Sequence, residues 1–392
     1  MSEWKKVELD SICAKKIQSI SSTDDFDIEY VDISSVDNQL KCIISYKTIN
    51  IKEAPSRAKQ ILQKNDILVS TVRPNLNAVA INQIASENVV VGSTGYSVLR
   101  CNDKVDVNYL FNYCKSNSFI SGLVKVAKGA SYPAVSNTDV KKSKIPLPPL
   151  DIQKKIAKTL DTTAELLTMR KQQLVELDNL IKSTFYDMFG DPVTNEKGWA
   201  ELSIGDVLDL QPKNGLYKPQ SKYGSGTKII RIDSFYDGYV ENIRGLKKVE
   251  LSLTEIEQYA VRMDDILINR VNSIEYLGKI GVVPEISEDI VYESNMMRFR
   301  LNQALITPIY LMYLWRTDFV KTQVLTRAKH AVNQSSINQQ DVLSFVLLSP
   351  PISLQNQFAN IVIKVEEQKT LVKKAIDETQ YLFDSLMSEY FD

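Results

Sequence analysis

Apolar residues recur with a helical rhythm over 150–189, a stretch that contains neither glycine nor proline. Leu160, Leu167, Leu174, Ile181 and Met188 fall seven apart, and Thr163, Arg170, Leu177 and Thr184 fill the position three later. That spacing marks one long helix with a coiled-coil seam. Pro148-Pro149 before it and Gly190 and Pro192 after it mark its ends. Arg170 and the threonines stand where apolar residues belong, so the seam calls for a specific partner, and the sequence assigns Arg170 no acid. The partner lies at the C-terminus, where Pro350-Pro351 precedes Leu354, Phe358, Val362, Val365, Val372, Ile376, Phe383, Leu386, Tyr390 and Phe391. A shift of 202 positions lays Pro149 on Pro351, Gln153 on Gln355, Ala157 on Ala359, Lys171 on Lys373, Ser183 on Ser385 and Phe189 on Phe391. The shared order of features is read as a duplicated unit.

The segments before each helix repeat the same order. Trp4, Val7, Leu9 and Ile12 open the first, and Trp199, Leu202, Ile204 and Val207 open the second. Short β-like runs follow at 30–33, 66–70, 89–91 and 96–99, then a helical piece over 107–119 and a Gly-Ala-Ser-Tyr-Pro turn at 129–133. In the second copy 229–233 answers 30–34, 265–268 answers 66–69, Tyr310-Leu311 answers Tyr109-Leu110, and Asp341-Val342 answers Asp139-Val140. The register drifts from 195 at the tryptophans through 199 to 202, as small loop insertions would make it. The expected fold class is therefore α+β: two strand-rich α/β domains separated by two long helices, with an internal repeat. The segments are 1–149, a central helix and turn-rich connector over 150–195, 196–350, and a C-terminal helix over 351–392.

Composition narrows the function. No run of 18 apolar residues occurs, and MSEWKKVELD lacks a signal peptide's apolar core, so an untargeted cytoplasmic protein is expected. Cys13, Cys42, Cys101 and Cys114 have no CxxC spacing and are expected as buried free thiols. A single histidine, His330, argues against a zinc site or a His-based triad. The net charge of -1 gives no global basic field, so any nucleic-acid binding must come from local patches.

Catalytic motifs are absent: there is no P-loop, GxGxxG after a strand, HExxH, adenine-methylation tetrapeptide or nuclease-like acid cluster. The pairs Asp24-Asp25 and Asp264-Asp265 are expected to be solvated or turn-forming, because adjacent acids on a strand point apart. Polar turns are more informative. The strand at 66–70 runs into Thr71-Val72-Arg73-Pro74-Asn75, and the second copy has Asn269-Arg270-Val271-Asn272-Ser273 at the matching place. Arg suits guanine and Asn suits adenine as bidentate readers of base edges, which makes these candidate reading loops; an arginine in a surface ion pair is the competing reading. A second pair precedes each Pro-Pro: Lys125, Lys128, Gly129, Ser131 and Tyr132 against Arg327, Lys329, His330, Asn333, Gln334 and Ser335. Small polar residues beside cations can bond phosphates and base edges together, whereas Asn-Gln-Ser-Ser could equally cap the next helix. From 141 to 158 there are six lysines and one acid, Asp151, a basic run that tracks a phosphate backbone or solvates a helix start. Among Tyr217, Tyr223, Phe235, Tyr236, Tyr239 and Tyr276, most are expected in core or edge packing.

The ordered set of these features resembles the specificity subunit of type I restriction-modification systems. It is carried by Pro55-Ser56-Arg57-Ala58, the run from Asn65 to Asn75, Gly129 to Ser136, Ile145-Pro146-Leu147-Pro148-Pro149 with Gln153, and Phe185 to Asp191. The resemblance spans essentially the whole chain. Ala331-Val332-Asn333-Gln334-Ser335 departs from the Gly-Ala-Ser-Tyr-Pro turn of the first copy. The resemblance implies two target-recognition domains, two helices packed as an antiparallel coiled coil with a pseudo-twofold repeat, and no catalysis by this chain. It implies double-stranded DNA, two modification subunits and restriction subunits as partners. S-adenosylmethionine would be carried by the modification subunits, which methylate adenine N6, and no cofactor or metal is expected here. A recognition subunit of a type IIB system and a protein-only coiled-coil scaffold are the alternatives.

A helix of roughly 40 residues is about 60 Å long at 1.5 Å per residue, comparable to roughly 17 base pairs. Domains overlapping its ends bring the two readers nearer one DNA turn apart, centre to centre. Lengthening the helices by one turn is then expected to change the unread spacer of the target while leaving both half-sites as they were. Mapping methylated adenines in cells carrying the lengthened chain checks this, and an unchanged spacer contradicts it.

Overall fold

The computed structural model describes residues 4–21, 25–236, 238–331 and 334–392. The two heptad stretches fold as helices Leu150–Phe189 and Ile352–Phe391. The chain divides into two compact units, one holding 1–172 with 373–392 and the other 173–372. This division differs from the four consecutive segments read from the sequence. Its cause is packing: each domain core takes side chains from one part of each long helix.

In the first unit a four-stranded sheet has the order Lys47–Asn50, Asp27–Val31, Val89–Ser93, Ala58–Ile61, with the middle two strands parallel. A three-stranded antiparallel sheet places Ile67–Ser70 between Tyr96–Leu99 and Val79–Ile81. Ile67 and Val69 join one apolar cluster and Leu68 another, so both faces of that strand are covered and it reads as an unbroken apolar run. Lys6–Glu8 pairs with Lys144–Pro146 and ties the two ends of the domain together. The strand at 30–33 stops early, because Asp32 caps a short turn at Ile33–Ser35. The helical piece read over 107–119 is two helices, Val107–Cys114 and Asn117–Val126, since the Ser116 hydroxyl accepts from Phe119 N at 3.2 Å and starts a new helix.

The second unit repeats the plan with a five-stranded sheet in which Ile266–Asn269 lies between Met296–Leu301 and Ile280–Val282. Ala200–Ser203 pairs with Val346–Ser349 as the opening strand of the first unit pairs with its last. A buried ion pair recurs under each central strand: Asp66 with Arg100 and Asp265 with Arg300, both at 2.7 Å. Asp265 is thus fully buried rather than solvated, and burial pushes its carboxyl above the ordinary value against the pull of the arginines. Asp264 is turn-forming, at φ +67. Asp24 lies outside the described residues. Cys13 and Cys114 are buried and all four thiols are free, but Cys42 is exposed, contrary to expectation.

The helices enter the domains through matched contacts. Gln153 is fully buried; its Oε1 accepts from Asp106 N at 2.9 Å, and its Nε2 donates to the carbonyls of Lys104 and Pro148 at 3.1 and 2.8 Å. Gln355 does the same with Thr307 N, Leu305 O and Pro350 O, each at 2.9 Å. The Tyr109 and Tyr310 hydroxyls donate to Pro146 O and Leu348 O. Helix ends then complete the cores: Phe391 packs on Tyr109 and Tyr113 in the first unit, and Phe189 packs on Tyr310 and Phe358 in the second. Gly190, at φ +75, turns the chain out of the central helix, and Trp199 Nε1 donates to Phe189 O at 2.7 Å to satisfy its last turn.

Within each unit the two helical segments run antiparallel. In the first, Leu160 shares a cluster with Met387 while Arg170 meets Ala375 and Thr379; in the second, Phe185 meets Phe358 while Asp178 bonds Lys369 at 2.7 Å. Arg170 donates through Nη1 to the Ala375 carbonyl and the Thr379 hydroxyl. Its partner is therefore a neutral pair rather than an acid, which is why the charge pattern assigned it none. The Thr163 and Thr184 hydroxyls donate back to Thr159 O and Leu180 O, so these seam positions carry no unmet polar atoms.

Gln153→Leu keeps the volume but strands one N–H and two carbonyls. At about 1–3 kcal/mol per unmet buried group, relieved in part by relaxation, urea unfolding of the full chain is expected to lose about 2–4 kcal/mol. Gln355→Leu is expected to cost a similar amount. A loss below about 0.5 kcal/mol, the range of an ordinary surface substitution, contradicts this role.

Candidate nucleic-acid interface

The candidate reading turn of the first unit grows out of the buried strand Ile67–Ser70. Thr71 donates to Gly95 O through both its N–H and its hydroxyl, at 2.9 and 2.8 Å. Val72 then bridges Ala134, and Arg73 N donates to Pro133 O at 2.7 Å. Arg73 takes the left-handed conformation, φ +51, before the short turn Pro74–Leu76. A non-glycine residue held there costs about 1–3 kcal/mol and persists only where its surroundings enforce it. The enforced backbone leaves the Arg73 side chain exposed, its guanidinium 4.7 Å over the Tyr132 ring.

Tyr132 belongs to the second candidate loop. Lys128 and Ala134 exchange both backbone hydrogen bonds, at 2.9 and 2.8 Å, and so close the hairpin 129–133. Gly129 has φ +104, and a Cβ there would lie 2.8 Å from Tyr132 O, so the turn requires glycine. Tyr132 is 68% exposed, and Asn75, Lys125, Lys128 and Ser131 are exposed too. Two loops read separately from the sequence are thus one continuous surface. Behind it the Ser136 hydroxyl and N–H hold the Asp139 carboxyl below the ordinary value, with Lys128 adding to the effect.

The second unit builds the same junction with different side chains. Val271–Asn272 pairs with Ser335–Ser336, which pairs with Lys329–His330. The Val271 and Ser336 pairing matches that of Val72 and Ala134, and Arg270 N donates to Asn295 O as Thr71 N does to Gly95 O. Arg270 therefore occupies the place of Thr71, and Asn272 that of Arg73. This corrects the alignment by residue type: Arg270 is half-buried, with Nη1 donating to Ser294 O at 3.2 Å. Ser335 is buried beneath His330, whose Nδ1 is 3.2 Å from its hydroxyl. Ser273, Lys329, His330 and Gln334 are exposed, Asn272 is half-buried and accepts from Ser273 N at 2.8 Å, and Asn333 lies outside the described residues. Arg327 is turned back onto Ser344 and the Phe345 ring. The helix after this loop is capped by Asn338, not by the Asn-Gln-Ser-Ser run.

Two other sequence readings change. Of the six lysines over 141–158, Lys141 is buried and donates to the Ala14 and Lys15 carbonyls at 2.8 and 2.9 Å, so the basic run has an internal member. Phe235 is core, as expected, but Tyr217 and Tyr236 are well exposed and Tyr239 and Tyr276 partly so. Among the described residues no group of three His, Cys, Asp or Glu could hold a metal ion, and none of their helices is long and apolar enough to cross a membrane.

Comparison with known proteins agrees with the repeat. The profile of the type I restriction modification DNA specificity domain matches twice, over 1–179 and 196–380. The EcoKI specificity subunit of Escherichia coli K12 is 24% identical over 283 residues, 69% of this chain and 60% of that protein. The matched stretches span 45 to 66% of the length of three curated relatives. A chain from a structure on complex assembly and conformational transition of the type I R-M system has TM-score 0.66 at 23% identity, covering 100% of this chain and 98% of that one. The HsdS subunit of Thermoanaerobacter tengcongensis has TM-score 0.53 at 22% identity, covering 100% and 97%. Two profile matches, each taking in one strand-rich domain and most of its long helix, place this chain in the type I restriction-modification DNA specificity family.

Proposed function

We propose that the chain is the DNA-reading subunit of a type I restriction-modification complex and recognises a bipartite duplex target. One observation carries this reading: the same pair of exposed polar loops is built twice, on the same strand end, with different side chains at matching places. A shared backbone with altered tips is what two readers of different base sequences require. In the first unit, Arg73 with Asn75, Lys128, Ser131 and Tyr132 offers a guanidinium for a guanine edge and cationic or hydroxyl donors for phosphates. In the second, Asn272, Ser273, Lys329, His330 and Gln334 offer an amide for adenine and a separate cation for the backbone.

In this reading the chain itself performs no catalysis and binds no cofactor. Two modification subunits dock on it, bring S-adenosylmethionine and methylate adenine N6 in each half-site, and restriction subunits join to cut unmodified DNA.

The test uses the full chain with its modification subunits and duplexes in which either half-site is scrambled. Arg73→Ala is expected to reduce discrimination of one half-site by about 1–3 kcal/mol, roughly 5- to 150-fold, leaving the other half-site intact. Asn272→Ala is expected to do the converse. Equal loss at both half-sites, or none at either, contradicts the assignment of one reader to each half.

A further inference from the structure

Beside the second reading loop the surface sinks into a cleft of about 470 Å3. Leu277, Trp315 and Val324 line it with apolar surface, Lys279, Arg316 and Lys321 line it with cations, and Glu275 is the acid among its described lining residues. The apolar part is firmly built. Trp315 Nε1 donates to Gly278 O at 2.7 Å, and Gly278, at φ +72, lies so close to Val324 that a Cβ would approach it to 2.5 Å. Both walls run directly into the reading sheet. Ile274 and Glu275 follow Asn272-Ser273, and Lys321 and Val324 stand on the helix Asp318–Arg327, which leads through Ala328 into the strand Lys329–His330. The Lys279 ammonium sits 5.9 and 5.5 Å from the centroids of the Tyr236 and Tyr276 rings, and the Arg316 guanidinium 4.5 Å over Tyr313.

The first unit shares the scaffold but not the cleft's chemistry. The positions matching Lys279 and Lys321 hold Ala78 and Ile120, and the one matching Arg316 holds Lys115. Lys115 is half-buried over the Phe111 ring at 4.5 Å, and burial pushes its ammonium down to about 8. The cationic cleft therefore belongs to the second domain alone and is not a by-product of the repeated fold.

We propose that this cleft binds the sugar–phosphate backbone of duplex DNA flanking the second half-site, with the deoxyribose on the apolar floor and the phosphate among Lys279, Lys321 and Arg316. An apolar floor edged by cations matches a nucleotide unit's two faces, and both its walls adjoin the strands of the candidate reading loop. Contacts of this kind add affinity without sequence information, because every base carries the same backbone. The inference rests on the DNA-reading role proposed above.

The test compares the full chain and its Lys279→Gln/Lys321→Gln variant, each with the modification subunits, binding cognate and half-site-scrambled duplexes over a range of NaCl. Losing the neutralisation of that one phosphate is expected to make the slope of log K against log salt shallower by up to about 0.9. Affinity should fall by a similar factor for every duplex, leaving the discrimination ratios unchanged, and Lys279→Arg/Lys321→Arg should restore the slope. A variant with the unaltered slope and affinity, while the unmodified complex still discriminates cognate DNA, overturns the cleft assignment alone. An unmodified complex that does not discriminate overturns the DNA-reading role and the cleft with it.

Discussion

Two buried glutamines fix where each long helix leaves its domain. Gln153 and Gln355 each take one backbone N–H at the start of a domain helix, and each gives its amide protons to two carbonyls, one of them in the Pro-Pro turn. A buried amide with its donors and acceptor used in this way has one orientation, and a rotated or shifted helix would leave three backbone groups unmet. The long helices are therefore not tethered loosely to strand-rich domains. Helix direction and domain orientation are one constraint at each end, reinforced by the tyrosine hydroxyls of Tyr109 and Tyr310 and by the aromatic helix ends Phe391 and Phe189 in the two cores.

Rigidity below and variation above is the consequence. The strands Ile67–Ser70 and Ile266–Asn269 are buried along their whole length, each over an Asp–Arg pair. The turns that follow keep the same backbone partners in both units while their side chains differ. Arg73 is pushed outward by a left-handed backbone; its counterpart is an asparagine in a short strand, and the neighbouring Arg270 is held on Ser294 O. A scaffold that fixes the backbone and frees the tips lets specificity change without changing the fold.

Much of this was legible in the sequence. Heptad spacing between Pro-Pro and glycine marked the central helix to its terminal residues, because those signals act locally. The repeat pointed to the reading turns, and the strand at 66–70 was readable from its unbroken apolar run. What escaped depended on contacts distant in sequence. Arg170 looked like a flaw because its acceptors are a carbonyl and a hydroxyl 205 and 209 residues away. Asp265 looked solvated because its arginines lie on another strand. Arg270 was matched to Arg73 by residue type, although the register of the preceding strand already set Asn272 against Arg73, and the pairing of Val271 with Ser336 bears that register out. The union of the two loops around Arg73 and Tyr132 likewise depends on the pairing of Val72 and Lys128 with Ala134.

Two independent readers on one shared, repeated scaffold are what we propose for this chain. The most direct measurement maps N6-methyladenine across DNA from cells that express this chain with its modification subunits, before and after residues 196–350 are replaced by the corresponding domain of a relative. A split motif is expected, one half of which changes with the exchange while the other stays constant. A single continuous motif, or a change in both halves, would contradict it.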